Sequence, residues 1–129
     1  MRKKKRPSRS ETFRGGKRLF RRRVGASMRE RLPNRRGSES RGFQYGGFAY
    51  IMTTSRFPVG RLAEIFLTNG KCGSDADVAA RDSAVVCSLA LQHNVPVEVI
   101  RKALLRNCDG SGSGPLTVAL DIITGKRGR

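Results

Sequence analysis

The hydrophobic pattern of this chain is confined to one stretch, and that stretch limits what the chain can fold into. Between Gly60 and Gly125, apolar residues recur first at strand spacing and then at helix spacing, with turn residues in between. Residues 1–42 carry 17 Lys and Arg against 3 Asp and Glu, whereas residues 43–125 carry 7 of each kind. A chain of 129 residues is long enough for one domain. The sequence therefore predicts a neutral domain at 43–125 behind a basic arm, with a short basic tail at 126–129.

The arm is expected to be disordered, because it has too few apolar side chains to offset the entropy of ordering it. Its positive charge would attract the phosphates of nucleic acid, and such binding weakens steeply as salt is added. The residues expected to make these contacts are Arg2, Lys3, Lys4, Lys5, Arg6, Arg21, Arg22 and Arg23. A solvated tail with only non-specific affinity is the alternative. We also hypothesise that residues 1–27 are not always translated, because Met28 is a natural start; the intact mass of the native protein tests this.

The cysteines and the hydropathy suggest where the protein works. Cys72, Cys87 and Cys108 show no paired spacing, and an odd count without a pattern favours a reducing compartment. No apolar run approaches the roughly 20 residues that a bilayer span requires. We expect a soluble, cytoplasmic protein with no membrane partner. Its oligomeric state stays open.

Within the domain, the pattern predicts an α+β fold, a three-stranded antiparallel sheet covered by one long and two short helices. Aromatic and β-branched runs separated by Gly and Pro indicate the strands. The strands are expected at 43–45, 48–54 and 62–67. The long helix is expected from about Asp75 to about His93, with Ser74 as its N-cap. The short helices are expected to open at Pro96 and Pro115.

The long helix is predicted to be amphipathic. Its buried stripe is expected to consist of Val78, Val85, Val86, Leu89 and Ala90. Its solvent stripe is expected to consist of Asp77, Arg81, Ser88 and Gln92. On the sheet, the aromatic residues expected to pack against the helices are Tyr45, Phe48, Tyr50 and Phe66, with base stacking by the two tyrosines as the alternative. Glu64 is expected to face solvent or to pair with an arginine.

Two loops that precede helices are candidates for binding a phosphate or a nucleotide. Backbone N–H groups and the helix dipole favour an anion at a helix start. The candidate residues are Lys71, Gly73 and Ser74 in the first loop and Gly110, Ser111, Gly112, Ser113 and Gly114 in the second. The alternatives are a tight turn with a capped helix for the first loop and an Asx-type connector for the second. The second loop lacks the closing residues of a Walker A loop and the glutamate of a calcium loop.

No group of residues points to catalysis, to a resident metal or to a cofactor. His93 is the only histidine, and no cysteine or carboxylate is spaced to join it as a metal ligand. The sequence shows no general acid and base pair either. We therefore name no catalytic residue, no metal ligand and no cofactor.

Several short motifs, taken together, resemble the TSCPD-type domain. They are the run from Leu62 to Leu67, the motif Gly70-Lys71-x-Gly73-Ser74-Asp75, the runs from Ala80 to Val85 and from Ser88 to Pro96, and the motifs Ile100-Arg101-x-Ala103-Leu104 and Ser113-Gly114-Pro115-Leu116. This domain occurs at the C-terminus of adenosylcobalamin-dependent (class II) ribonucleotide reductases and as short stand-alone bacterial proteins. The resemblance extends over residues 43–125.

The resemblance implies an accessory or regulatory module in ribonucleotide reduction and DNA precursor synthesis, with a reductase as its partner. The Ser-Cys-Pro-Asp signature is absent, since Cys108 lies in Asn107-Cys108-Asp109-Gly110, and the tail lacks the cysteine pair that re-reduces such enzymes. No catalytic residue carries over, and whether this chain is itself an enzyme stays open. A non-specific nucleic-acid-binding protein that acts through the arm is the alternative function.

Overall fold

The computed structural model describes residues 29–126. Contacts divide the chain into two units, Met1–Glu30 and Arg31–Arg129, and all the strands and helices of the described residues belong to the second unit. The nucleic-acid-binding residues predicted in the arm, from Arg2 to Arg6 and from Arg21 to Arg23, lie outside the described residues.

Three strands and three helices follow one another along the described residues. The strands are β1 (Glu39–Tyr45), β2 (Phe48–Arg56) and β3 (Leu62–Asn69). The helices are α1 (Asp75–Gln92), α2 (Val97–Ala103) and α3 (Pro115–Thr124). The sheet is antiparallel, with the strand order β1-β2-β3. The predicted α+β architecture of one long and two short helices on a three-stranded sheet is confirmed.

The first strand is longer than its sequence pattern predicted. β1 begins at Glu39 rather than at Phe43, so residues 39–42, which we assigned to the arm, belong to the sheet. In the ladder, Glu39 lies opposite Thr54. Residues 39–42 are charged or small and have a low β-strand propensity, so the sequence pattern did not indicate a strand there. Strand pairing is made by backbone hydrogen bonds, which these residues form as well as any others.

The core lies between one face of the sheet and the three helices. Its buried members are Tyr50, Met52, Leu62, Ile65, Leu67, Ala80, Ala84, Cys87, Leu91, Leu116, Ala119 and Leu120. Val97 and Ile100 of α2 pack against them, as the helix pattern predicted. Burial raises the pKa of the Cys87 thiol to about 11, so this cysteine stays protonated at neutral pH. None of the helices in the described part of the chain has the length and apolar character that a bilayer span requires.

Helix α1 turns a different face to the core from the one predicted. The residues expected to be buried but found exposed by 39 to 66% are Val78, Val85, Val86 and Leu89. The residues expected in solvent but found buried are Asp77, Ser88 and Gln92. The predicted orientation of α1 is therefore wrong, although its bounds are right to within one residue.

The reason is the free edge of β3. The hydroxyl group of Ser88 accepts a hydrogen bond from the N–H of Ile65 at 2.9 Å and donates one to the carbonyl of the same residue at 2.8 Å. The carboxylate of Asp77 accepts from the N–H of Asn69 at 2.9 Å. Buried backbone groups on a strand edge require partners. Polar side chains of α1 supply them, and this turns the polar stripe of α1 inward.

These contacts also set the direction of α1 along the edge. The amide of Gln92 donates to the carbonyl of Ala63 at 3.3 Å, while Asp77 binds Asn69 at the other end of the strand. The helix therefore runs antiparallel to β3. The distance from residue 77 to residue 92 along a helix is about 22 Å, and that from 63 to 69 along a strand is about 20 Å, so the two match in length.

The opposite face of the sheet is only partly covered. Phe66 is 43% exposed on this face, and Phe48, which shares the core face with Tyr50 but lies at the start of β2, is 45% exposed. The expectation that both pack against the helices is therefore wrong, whereas it is confirmed for Tyr45 and Tyr50. Antiparallel alternation places Phe66 on the face turned away from the core. At one end of this face Arg36 binds Glu64 with two hydrogen bonds, of 2.6 and 3.0 Å. Of the two alternatives predicted for Glu64, solvent exposure or pairing with an arginine, the structure shows the pairing with an arginine.

Candidate functional site

The first predicted phosphate loop already holds a carboxylate of the chain itself. Asp77 accepts hydrogen bonds from the N–H groups of Asn69, at 2.9 Å, and Gly73, at 3.0 Å. The Ser74 hydroxyl group accepts from the N–H of Asp77 and donates to the carbonyl of Lys71. The backbone donors, that of Asn69 foremost, lower the pKa of Asp77 and keep it ionised. Gly73 and Ser74 are thus engaged within the turn, and the side chain of Lys71 is exposed beside it.

The second predicted loop is a compact turn that closes on itself. Asp109 accepts from the N–H of Ser111 at 2.9 Å and from its hydroxyl group at 2.6 Å. The N–H of Gly110 donates to the carbonyl of Asn107, and the Ser113 hydroxyl group donates to the Asn107 side chain. The bonds from Ser111 lower the pKa of Asp109. This is the geometry of an Asx-type connector.

In each loop, therefore, a carboxylate of the chain lies where an external phosphate would bind. A second anion beside Asp77 or Asp109 would meet a like charge and would find the N–H groups of Gly73 and Ser111 already engaged. The geometry favours the structural alternatives of a capped helix and a self-satisfied connector. Phosphate or nucleotide binding by these loops stays a prediction.

The structure does not bring the two loops into one site. Ser113 and Gly114 line a cleft of about 470 Å³ between the start of α1, the sheet and the start of α3. We call it the tyrosine cleft, and its lining includes Tyr45, Tyr50, Ala79, Leu105, Leu116 and Thr117. Ser111 and Gly112 line a second cleft of about 410 Å³, beside Arg41, Asp121 and Lys126. The first-loop residues Lys71, Gly73 and Ser74 line neither cleft.

The tyrosine cleft has a rigid aromatic wall. The Tyr45 hydroxyl group donates to the carbonyl of Ser113 at 2.6 Å, which ties the sheet to the loop before α3. The rings of Tyr45 and Tyr50 lie 6.4 Å apart at 58°, and Phe43 stacks on Tyr50 at 5.5 Å. The residues that line the cleft carry no charge. It therefore suits apolar and hydrogen-bonding groups rather than ions.

Sequence analysis missed a buried ion-pair cluster beneath the second loop. Asp121 accepts from Arg101 Nε at 2.7 Å and from both terminal nitrogens of Arg106 at 2.8 Å. Arg101 is almost fully buried, and the bonds from Arg106 and Arg101 lower the pKa of Asp121. The burial of Arg101 could have been predicted from its position, since it lies four residues after Val97 and thus on the inward stripe of α2. Its partner could not be found that way, because it lies in a different helix.

No group of three or more histidine, cysteine or carboxylate side chains that could hold a metal ion occurs within residues 29–126. Cys72 and Cys108 are exposed, and Cys87 is buried. His93 caps the end of α1, where its ring lies 2.8 Å from the carbonyl of Leu89. Cys72 and Cys108 thus lie in two different loops, whereas Cys87 and His93 belong to α1 and its C-cap.

Two known proteins are similar to part of this chain. The vitamin B12-dependent ribonucleotide reductase of Agrobacterium fabrum is 37% identical over 70 residues, which is 54% of this chain and 6% of that protein. The enzyme of the same name from Rhodopirellula baltica is 36% identical over 72 residues, which is 56% of this chain and 7% of that protein. No protein-family model and no solved structure matches the chain. The chain thus contains a region related to a short part of vitamin B12-dependent ribonucleotide reductases.

Proposed function

We propose that this chain is an accessory, protein-binding module of ribonucleotide reduction. The observation that carries the proposal is the similarity of about half of the chain to a short part of two vitamin B12-dependent ribonucleotide reductases. The carboxylates of Asp77, Asp109 and Asp121 are held by hydrogen-bond donors and kept ionised, which makes them unsuited to proton transfer near neutral pH. This supports a binding role rather than a catalytic one.

An apolar surface on α1 supports a protein partner. Ala80, Cys87 and Leu91 face the core, and the polar stripe of α1 faces the edge of β3. At 100° per residue, Val78, Val85 and Leu89 then lie on the flank of α1 that is turned away from the core. The exposed face of the sheet, with Ile51 and Phe66, lies on that same side. We call these five residues the valine surface, and exposed apolar groups on adjoining elements are typical of interaction sites.

We assign the valine surface to a ribonucleotide reductase polypeptide. The related region is 6 to 7% of the reductases that this chain matches, so in those proteins it belongs to a far longer chain. Apolar contact, rather than charge, would then make the main contribution to binding. The described surface offers such contact on one side of α1 and of the sheet.

The test is an affinity pull-down with the full chain from a nuclease-treated native lysate. We expect mass spectrometry to identify reductase polypeptides with the unaltered chain and to lose them with Val85→Glu. Val99→Glu is the matched control, because Val99 is 56% exposed on α2, outside the valine surface. Circular dichroism verifies that both variants are folded. A pull-down without reductase, or equal recovery with Val85→Glu and the unaltered chain, contradicts the proposal.

Non-specific nucleic-acid binding through the arm is a second proposal, supported by the charge distribution. Residues 1–42 hold 17 of the 27 basic residues of the chain. Removing residues 1–28 leaves Arg36 and β1 in place, and we expect it to abolish binding to a fluorescent single-stranded DNA. Raising salt from about 50 to about 200 mM should weaken binding by the intact chain more than tenfold. Undiminished affinity after the deletion contradicts this proposal and leaves the first one untouched.

A further inference from the structure

The tyrosine cleft has the size and lining of a small-molecule site, and the protein-binding role proposed for the chain does not use it. Its volume of about 470 Å³ lies in the range of ligand sites. Its walls are the rings of Tyr45 and Tyr50, alanines of α1, and Leu105 and Leu116. The aromatic rings are held in place by the Tyr45–Ser113 hydrogen bond and by stacking with Phe43.

Hydrogen-bond donors converge at one end of the cleft. Gly114 is the N-cap of α3 and offers no side chain to cap the helix. The N–H of Val118 donates to the carbonyl of Gly114 at 3.2 Å, so the N–H groups of Leu116 and Thr117 precede the first intrahelical bond. Both residues line the cleft. The start of α3 therefore presents donors to whatever occupies it.

Thr117 adds a side-chain hydroxyl group to these backbone donors. The residue is 3% exposed and lines the cleft, and its methyl group lies towards Gly112. Its hydroxyl group is not one of the fully enclosed polar atoms of residues 29–126 that lack a partner. It is therefore accessible to a bound molecule that carries a hydrogen-bond acceptor.

We propose that the tyrosine cleft binds an uncharged, planar ring compound that carries a hydrogen-bond acceptor. The ring packs against Tyr45 and Tyr50, and the acceptor receives hydrogen bonds from the start of α3 and from the Thr117 hydroxyl group. Because no charged residue lines the cleft, a phosphate group would gain no ion pair there. The ligand is therefore recognised by its ring, as in a nucleobase or a carboxamide-bearing heteroaromatic ring, and not by a phosphate.

The test is a nuclear magnetic resonance titration of the full, ¹⁵N-labelled chain with three probes. Adenosine and nicotinamide carry the uncharged planar rings, and ribose 5-phosphate is the charged compound without a planar aromatic ring. We expect one or both rings to shift the amide signals of Leu116 and Thr117 saturably, with a Kd below about 1 mM. Ribose 5-phosphate should leave these signals unchanged. Shifts by neither ring at up to about 10 mM, or equal binding of ribose 5-phosphate at these amides, overturn the proposal.

Two variants test the site itself. Ala79→Phe fills the cleft from an exposed position of α1 and should weaken ring binding by more than about tenfold. Val86→Phe, at an exposed position two turns farther along the same helix and outside the cleft lining, is the matched control and should leave the affinity unchanged. Thr117→Val keeps the shape and removes the hydroxyl group, and should weaken binding about fivefold. Unaltered affinity in both Ala79→Phe and Thr117→Val overturns the proposal, and since none of this involves a reductase, it does not affect the accessory role.

Discussion

A helix on the surface of a domain usually turns apolar side chains inward and polar side chains towards solvent. On two sides of α1 this arrangement is reversed. The side that faces the edge of β3 carries Asp77, Ser88 and Gln92, and the side that faces solvent carries Val78 and Val85. On the buried side, polar side chains replace the backbone of a missing fourth strand. On the exposed side, the valines are about half-exposed among residues 29–126. The inward side is therefore chosen by hydrogen-bond satisfaction as well as by apolar burial.

The physical basis is an asymmetry in cost. Leaving a valine half-exposed forfeits part of a burial energy of about 1.5–3 kcal/mol, whereas leaving a buried N–H and a buried carbonyl unpaired costs about 1–3 kcal/mol for each group. Ser88 satisfies both backbone groups of Ile65. Turning α1 to bury its valines would leave both groups unpaired. The same rotation would also expose Ala80, Ala84, Cys87 and Leu91, which α1 buries in the core, so the observed orientation is favoured on both counts.

The largest effect is expected for Ser88→Ala. This change removes both hydrogen bonds to Ile65 and should lower the free energy of unfolding by about 3 kcal/mol, because two buried backbone groups lose their partner. Urea unfolding of the full chain, followed by circular dichroism, measures it. Ser83→Ala is the matched control on the same helix, because Ser83 bonds only to the carbonyl of Ala80 in its own helix. Equal losses in the two variants would show that the edge contacts do not hold α1.

Ala84→Val tests how closely α1 approaches the sheet. Ala84 is 0% exposed, so two added methyl groups have no space, and we expect a loss of about 2 kcal/mol from overpacking. The same urea experiment measures it. Ala79→Val, at an exposed position of α1, should stay within about 0.5 kcal/mol of the unaltered chain. A neutral Ala84→Val would mean that α1 lies farther from β3 than the hydrogen bonds indicate.

Asp77→Asn is expected to change how stability depends on pH. The folded-state pKa of Asp77 is lowered, chiefly by the N–H of Asn69, so its contribution is present above the unfolded value of about 3.9 and is lost as pH falls through the lower, folded value. Between pH 7 and pH 3, the urea midpoint of Asp77→Asn should therefore fall less than that of the unaltered chain. The pKa values of Asp109 and Asp121 are also lowered, so the stability of both Asp77→Asn and the unaltered chain still falls to some extent as the pH is lowered. Asp82→Asn controls for net charge. Parallel midpoint curves for Asp77→Asn and the unaltered chain would remove Asp77 from the explanation.

The smallest effect on stability is expected on the solvent side of α1. Val86 is 66% exposed, and Val86→Ser should change the free energy of unfolding by less than about 0.5 kcal/mol. Thermal and urea unfolding both measure this. A loss similar to that of Ser88→Ala would mean that the valines are covered in the native protein, most simply by a second copy of the chain. Analytical ultracentrifugation of Val86→Ser and of the unaltered chain would then distinguish self-association from a contact within one chain.

Sequence analysis succeeded where the determinants are local. The N-cap at Ser74 and the start of the short helices at Pro96 and Pro115 were correct, because each depends on the backbone preference of one residue or on a side chain within one turn. It failed on the burial of Phe66 and on the orientation of α1. Both depend on which strand lies at the sheet edge, and that is decided by contacts distant in the chain.

The candidate site shows the same division. Loop composition identified both glycine-containing turns, but it could not show that Asp77 and Asp109 fill them, since a carboxylate two or four residues away can point inward or outward. The tyrosine cleft was missed because its walls come from the sheet, α1 and α3, whose apolar residues look like ordinary core positions in the sequence. The spacing of residues within one helix or strand carries no information on a cleft whose walls come from three separate elements.

By itself, the sequence determined the α+β class, the bounds of α1 to within one residue and the concentration of basic charge in residues 1–42, because these follow from local propensity, periodicity and composition. Only the tertiary structure decided which side of α1 is buried, how Arg101 and Arg106 share Asp121, and where a ligand-sized cleft opens. The physical reason is that a buried polar group finds its hydrogen-bond partner on whichever element folding places beside it. A polar residue's place is therefore set by partners that only folding brings to it.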